Sequence, residues 1–169
     1  MKTFQEFQQL CEGGLARQLS KARDKDTGHI SADRGSDEGK NRKKRKGLEK
    51  DLKKKGIGYK KTTGKYKYDD GSDAREVSYH TTRPEGMSKR EFGRKMRKYG
   101  RKYGQESVIT KKSGKDARLH YTDKSGRKSD NIGRSKAGPH PDGYGETGEK
   151  RQRGDKLKDK KKDRDFHYS

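Results

Sequence analysis

Cysteine is nearly missing from this chain, with Cys11 the single one among 169 residues. That excludes an internal disulfide and an all-protein thiolate zinc site, and it fits a reducing compartment. Tryptophan is absent and proline occurs only three times. Hydrophobic residues make up 21%, and adding the 22 glycines raises the share to about a third. Ordinary globular chains reach roughly 45–50% on that count. So little apolar material supports only a thin core, with ends that hold no fixed structure. No apolar run approaches the 18 or so residues of a spanning helix. The apolar stretch at the front is broken by Gln and Glu, so it does not read as a secretory signal.

What the chain does have is charge: 44% of residues are charged and the net charge is +22. Such an excess says little about fold and much about partners. Nucleic acid is the matching polyanion, bound without base reading through phosphate neutralisation. No stretch is amphipathic enough to anchor the chain on a membrane, so no membrane partner is expected.

Along the chain, Phe4, Phe7 and Cys11 recur at helical spacing and Leu15 and Leu19 continue the phase, across Gly13-Gly14. His29-Ile30-Ser31-Ala32 reads as a short strand. Lys40 to Lys55 is helical, with Leu48 and Leu52 as a narrow apolar edge, Glu49 paired to Lys53 at i+4, and Gly56 as the stop. Tyr59, Tyr66 and Tyr68 mark a strand or pair of strands before the turn Asp69-Asp70-Gly71, and Val77 and Tyr79 alternate in the next. The best helix is 88–103. Ser88 and Glu91 fit a capping box, and Phe92, Met96, Tyr99 and Tyr103 form a core stripe. Val108-Ile109 and Leu119/Tyr121 predict a hairpin through Ser113-Gly114. The order is β-α-β-β-α-β-β, an α+β sandwich with an N-terminal amphipathic helix and a disordered basic C-terminal tail. A split β-α-β arrangement is its simplest closure. The expected units are a leading segment 1–12, a linker 13–28, a small α+β domain 29–122 and a tail 123–169.

The chemistry in the sequence is sparse. His29, His80, His120, His140 and His167 show no paired metal-ligand spacing, and neither a nucleophile elbow nor a phosphate loop is present. Asp69, Asp70 and Glu76 suit a divalent ion, but a hairpin turn with solvated acids explains them as well. No catalytic residue, metal or cofactor is therefore expected. Glu76, Gln105 and Glu106 read either as a functional site or as residues that satisfy backbone groups at strand ends. The basic clusters give the candidate phosphate contacts. They are Lys40, Arg42, Lys43, Lys44 and Arg45, then Lys53, Lys54 and Lys55, then Arg94, Lys95, Arg97, Lys98, Arg101 and Lys102.

The opening segment MKTFQEFQQLCE resembles the capsid-targeting sequence of internal head proteins of large contractile-tailed bacteriophages. The resemblance runs through Met1, Lys2, Thr3, Phe4, Gln5, Glu6 and Phe7, with Gln8-Gln9 as its departure. It implies an address for the scaffold core of the growing head. It also implies a prohead-protease cut after Leu10-Cys11-Glu12, before Gly13, which makes 1–12 a propeptide. Prohead core proteins and the protease would be partners, and the capsid interior or the host cytoplasm the location. The body, 29–122, more weakly resembles a small uncharacterised bacterial and phage domain family, through Ile30 to Ala32, Asn41-Arg42, Gly56 to Tyr59, Glu76 to Tyr79 and Gly104 to Ile109. The expectation from these readings is a non-enzymatic internal head protein, packaged with and bound to phage DNA. An injected effector acting on the host, an RNA-binding protein and a small nuclease stay open as alternatives.

Overall fold

A computed structural model of the chain describes residues 24–67, 73–124, 126, 128–137, 146–149 and 165–168. Seven elements follow in the expected order. They are strand β1 (Thr27–Ser31), helix α1 (Glu38–Lys54), strands β2 (Gly58–Lys67) and β3 (Asp73–Thr82), helix α2 (Lys89–Lys102), and strands β4 (Ser107–Lys111) and β5 (Ala117–Tyr121). Four more strands lie beyond Thr122, where none was expected: β6 (Ser129–Gly133), β7 (Ser135–Ala137), β8 (Glu146–Glu149) and β9 (Asp165–Tyr168). Strands β6, β7 and β8 carry Ile132 as their one large apolar residue, so hydrophobic alternation could not reveal them, and β9, with Phe166 and Tyr168, is only four residues long.

All nine strands form one sheet in the order β6-β5-β4-β1-β3-β2-β8-β9-β7, and every pairing is antiparallel. Its centre, β4-β1-β3-β2 with a helix after β1 and another after β3, is the split β-α-β closure. The two edge strands, β6 and β7, are separated in sequence only by Arg134. A sheet whose edges are joined by one residue must bring those edges together, so its face away from the helices curves inward.

The helices begin and end where local chemistry dictates. Asp37 caps α1 by accepting from the Lys40 amide at 2.9 Å, and Ser88 caps α2 by accepting from the Glu91 amide at 3.1 Å. Gly56 and Gly104 follow the two helices with φ of 65° and 71°, a backbone that favours glycine.

The apolar core lies between the helices and one face of the sheet. Leu48 and Leu52 of α1 and Phe92, Met96, Tyr99 and Tyr103 of α2 meet Ile30, Tyr79 and Val108 of the strands. Helix α2 sits very close to the sheet at Gly100, where an added Cβ would lie 2.7 Å from Val108 Cγ1 and 3.0 Å from Thr122 Cγ2. Glu49 does not take Lys53 as its ion-pair partner. It accepts instead from Tyr79 Oη and pairs with Lys61 Nζ, both at 2.8 Å. Tertiary contact with a half-buried site outcompetes an exposed i+4 pair worth only tenths of a kcal/mol. No helix among the described residues is long and apolar enough to cross a membrane.

Candidate active site

Strands have period two, so the residues between the core-facing ones point to the inward-curving face. On β1 these are Thr27, His29 and Ser31, and on β3 they are Glu76, Ser78 and His80. The register sets His29 opposite His80 and Ser31 opposite Ser78, and places Thr62 and Gly64 of β2 beside Ser78 and Glu76. Thr27, His29, Ser31, Thr62, Ser78 and His80 are all buried. Burying polar groups costs free energy unless they are satisfied. A whole polar row in a chain this short of apolar residues therefore marks function rather than core. The His29 and His80 rings lie 4.6 Å apart. Burial, and secondly the charge of His80, hold His29 well below its ordinary range, so it stays neutral at physiological pH.

Glu76 closes this row at the end of the sheet where β1 stops and β3 and β4 begin. Burial pushes its carboxyl up to about 7; contact with the Ser31 hydroxyl pulls it back, and the Asp33 charge pushes it up again. Two carboxyls near each other in a poorly solvated place leave one of them half protonated at neutral pH. The partners of Asp33 are donors. Its Oδ2 accepts from the Val77 amide at 2.8 Å, and its Oδ1 faces Arg45 Nε at 3.4 Å. The Ser31 hydroxyl donates to the Val77 carbonyl at 2.9 Å and accepts from the Asp33 amide at 3.0 Å.

The loop after β1 is held rigidly around this pair. Buried Asn41 of α1 accepts from the Arg34 amide at 2.8 Å and donates to the Gly35 carbonyl at 3.0 Å. Gln105 Nε2 donates to the Asp33 carbonyl at 2.9 Å, and Glu106 pairs with Arg34 at 2.9 Å. Of Glu76, Gln105 and Glu106, the reading as partners of backbone groups holds for Gln105, while Glu106 takes a side chain. Gln105 satisfies a backbone carbonyl at a strand end, and Glu76 is the titratable group.

The charges singled out from the sequence fare unevenly. Arg45 is nearly buried and spent on Asp33 and Glu38. Lys40 pairs with Asp37, Lys95 with Glu91 and Lys102 with Asp51. Arg42, Lys43, Lys53, Lys54, Lys55, Arg94, Lys98 and Arg101 are exposed, and Lys44 is half-buried. Arg97 lines a cleft together with hairpin residues. Phe4, Gln5, Glu6, Phe7, Leu10, Cys11, Glu12 and Gly13 lie outside the described residues, as do Asp69 and Asp70.

Sequence reasoning missed Ser31, Asp33 and the paired histidines. Their signal was present as His29-x-Ser31-x-Asp33 and Glu76-x-Ser78-x-His80, two polar alternations interleaved with the apolar ones. An alternating polar set is normally the solvent side of a strand, and only the curvature of the sheet puts it inside.

A family model described as the S-Adenosylmethionine lyase family matches residues 28–154. No curated protein and no solved structure matches the chain. The family match overturns the expectation of a packaged, DNA-associated, non-enzymatic internal head protein, and with it the readings of capsid targeting and DNA binding. That expectation leaned on twelve leading residues, which speak of destination, and on net charge, which does not specify a partner. The match runs through both helices and on to β8, beyond Thr122, well over half of the chain, and the chain belongs to the S-adenosylmethionine lyase family.

Proposed function

We propose that this chain is an enzyme that degrades S-adenosylmethionine by breaking a carbon–sulfur bond without water, and that Glu76 is the residue on which the site turns. The observation that carries the assignment to this place is the half-buried Glu76 carboxyl, pushed up to about 7 and set near Asp33.

The substrate bears a sulfonium, an ammonium and a carboxylate, a net positive charge at neutral pH. A chain of net charge +22 repels it over most of its surface. A cation settles where carboxylates outnumber their local counter-charges, and the Glu76–Asp33 end supplies such a point. Arrival of a cation favours the ionised form of Glu76, so binding and loss of the Glu76 proton are linked. The sulfonium is itself the activated leaving group: when its carbon–sulfur bond breaks, the pair of electrons stays on sulfur and a neutral thioether departs. In the elimination the ionised Glu76 accepts the proton from the carbon next to the one that sulfur leaves, and the electrons of that C–H bond become the new C=C bond. The buried Ser31, Ser78 and Thr62 beside it exchange hydrogen bonds with polar groups while bulk water is kept out.

The test is incubation of the full chain with S-adenosylmethionine in ¹⁸O-labelled water, followed by mass spectrometry. Loss of substrate, appearance of a neutral thioether and no label in the other fragment are expected. Label in that fragment would show hydrolysis, and intact substrate would sink the proposal altogether.

A further inference from the structure

At the opposite end of β1 from Glu76, a cleft of about 830 Å³ opens between the first turns of α2 and the β4–β5 hairpin. Lys89, Arg90 and Arg97 form its helix wall, and Lys112, Lys115 and Arg118 form its hairpin wall. Among the described residues no carboxylate pairs with any of these six. The two aspartates that line the cleft are committed elsewhere. Asp26 pairs with Arg83 at 2.6 Å and accepts from the Ser113 amide at 2.8 Å. Asp116 accepts from Asn131 at 3.0 Å and pairs with Arg134 at 3.3 Å.

Of the groups at the base, Lys111, which is buried, is held below its ordinary range by burial first and the Arg134 charge second, while Asp116, Asp24 and Asp26 act against that shift. His120, in contact with Thr110 Oγ1 at 2.7 Å, is lowered by burial and then by Arg97 and Arg118. Six cations share this concave cleft, five of them exposed and Arg97 half-buried, and an anion between the walls would be attracted by both.

We infer that this cleft binds a compact oligophosphate of the nucleoside-triphosphate class, apart from the site where the cationic substrate is cleaved. The same field that draws in a polyphosphate excludes S-adenosylmethionine. The volume lies in the range of small-molecule pockets, roughly 300–1,000 Å³, and the hairpin and α2 bound it on two sides, which suits a short anion better than a long strand. The inference rests on the cleft and its charges and stands whether or not the lyase reading holds.

Isothermal titration of the full chain at near-physiological salt tests it, with inorganic triphosphate, ATP and a twelve-residue oligothymidylate as probes. One-to-one binding of triphosphate and ATP is expected. Lys112→Glu with Lys115→Glu should weaken both at least tenfold. Lys43→Glu with Lys50→Glu, which makes the same change in net charge on the exposed side of α1, should weaken them less than twofold. Arg97→Gln, on the opposite wall, gives a second variant if the hairpin pair fails to fold. Equal losses in the two double variants would show bulk charge and overturn the cleft. Absence of saturable binding below millimolar triphosphate would overturn it too. Tighter binding of the oligothymidylate than of ATP, lost in the same hairpin variant, would replace the compact ligand with a single strand.

Discussion

The two ends of β1 have opposite electrostatic characters although they belong to one strand, roughly 15 Å from end to end at the ordinary rise per residue. At the Thr27 end, cations stand on facing walls with their nearby aspartates already taken. At the Ser31 end, the cations are the ones already taken, Arg45 by Asp33 and Arg34 by Glu106, and burial pushes the Glu76 carboxyl up to about 7. The contrast teaches that net charge describes neither place. What matters locally is which charges remain after the fold has paired the others.

The comparison breaks most sharply at Glu76. Glu76→Gln should lower kcat/KM for S-adenosylmethionine at least 100-fold, about 2.7 kcal/mol of transition-state stabilisation, and leave triphosphate binding at the other end within twofold. In the parent chain kcat/KM should rise with pH through about 7 and level off above it, because the form needed by a cationic substrate is the carboxylate. A profile already flat at pH 5 to 8 would remove Glu76 from the site.

The same carboxyl has a stability signature. Its folded-state value, about 7, is above its ordinary 4.5. The protonated group is therefore favoured by the fold, and its contribution is fully present below 4.5 and lost as pH rises through 7. Glu76→Gln should be more stable than the parent at pH 8, by roughly 2–3 kcal/mol, and nearly equal to it at pH 4. Thermal melts at the two pH values check this.

Smaller effects probe the seam between sheet and helices that both ends share. Gly100→Ala inserts a Cβ against Val108 and Thr122 and should cost about 1–3 kcal/mol by denaturant unfolding. Tyr79→Phe removes the hydrogen bond to Glu49 in the core and should cost about 1 kcal/mol. It should leave the pH dependence of turnover unchanged, since Tyr79 faces the helices and Glu76 the interior.

Much of the fold was legible because its signals are local. Period-two alternation marked β1 and β3, the stripe Phe92-Met96-Tyr99-Tyr103 marked α2, and Ser88, Gly56 and Gly104 marked helix ends. The strands past Thr122 were not legible, because Ser-Asp-Asn-Ile-Gly and Glu-Thr-Gly-Glu carry no apolar alternation and are strands through their ladder partners. Of the site, Glu76 was within reach as a candidate. Its partner Asp33 was not, since 43 positions separate them and only the pairing of β1 with β3 brings their ends together.

The amino-acid sequence by itself determined the element order, the placement of the helix ends, the core stripe and the great excess of positive charge. Each of these follows from neighbours a few residues apart. Only the tertiary structure decided which of those charges are spent and which are left facing a cleft, and that a polar alternation is interior rather than solvated. It also decided that, among the described carboxylates, burial pushes Glu76 up to about 7. Solvation and pairing energies depend on what lies opposite in space, and antiparallel pairing across a curved sheet sets that.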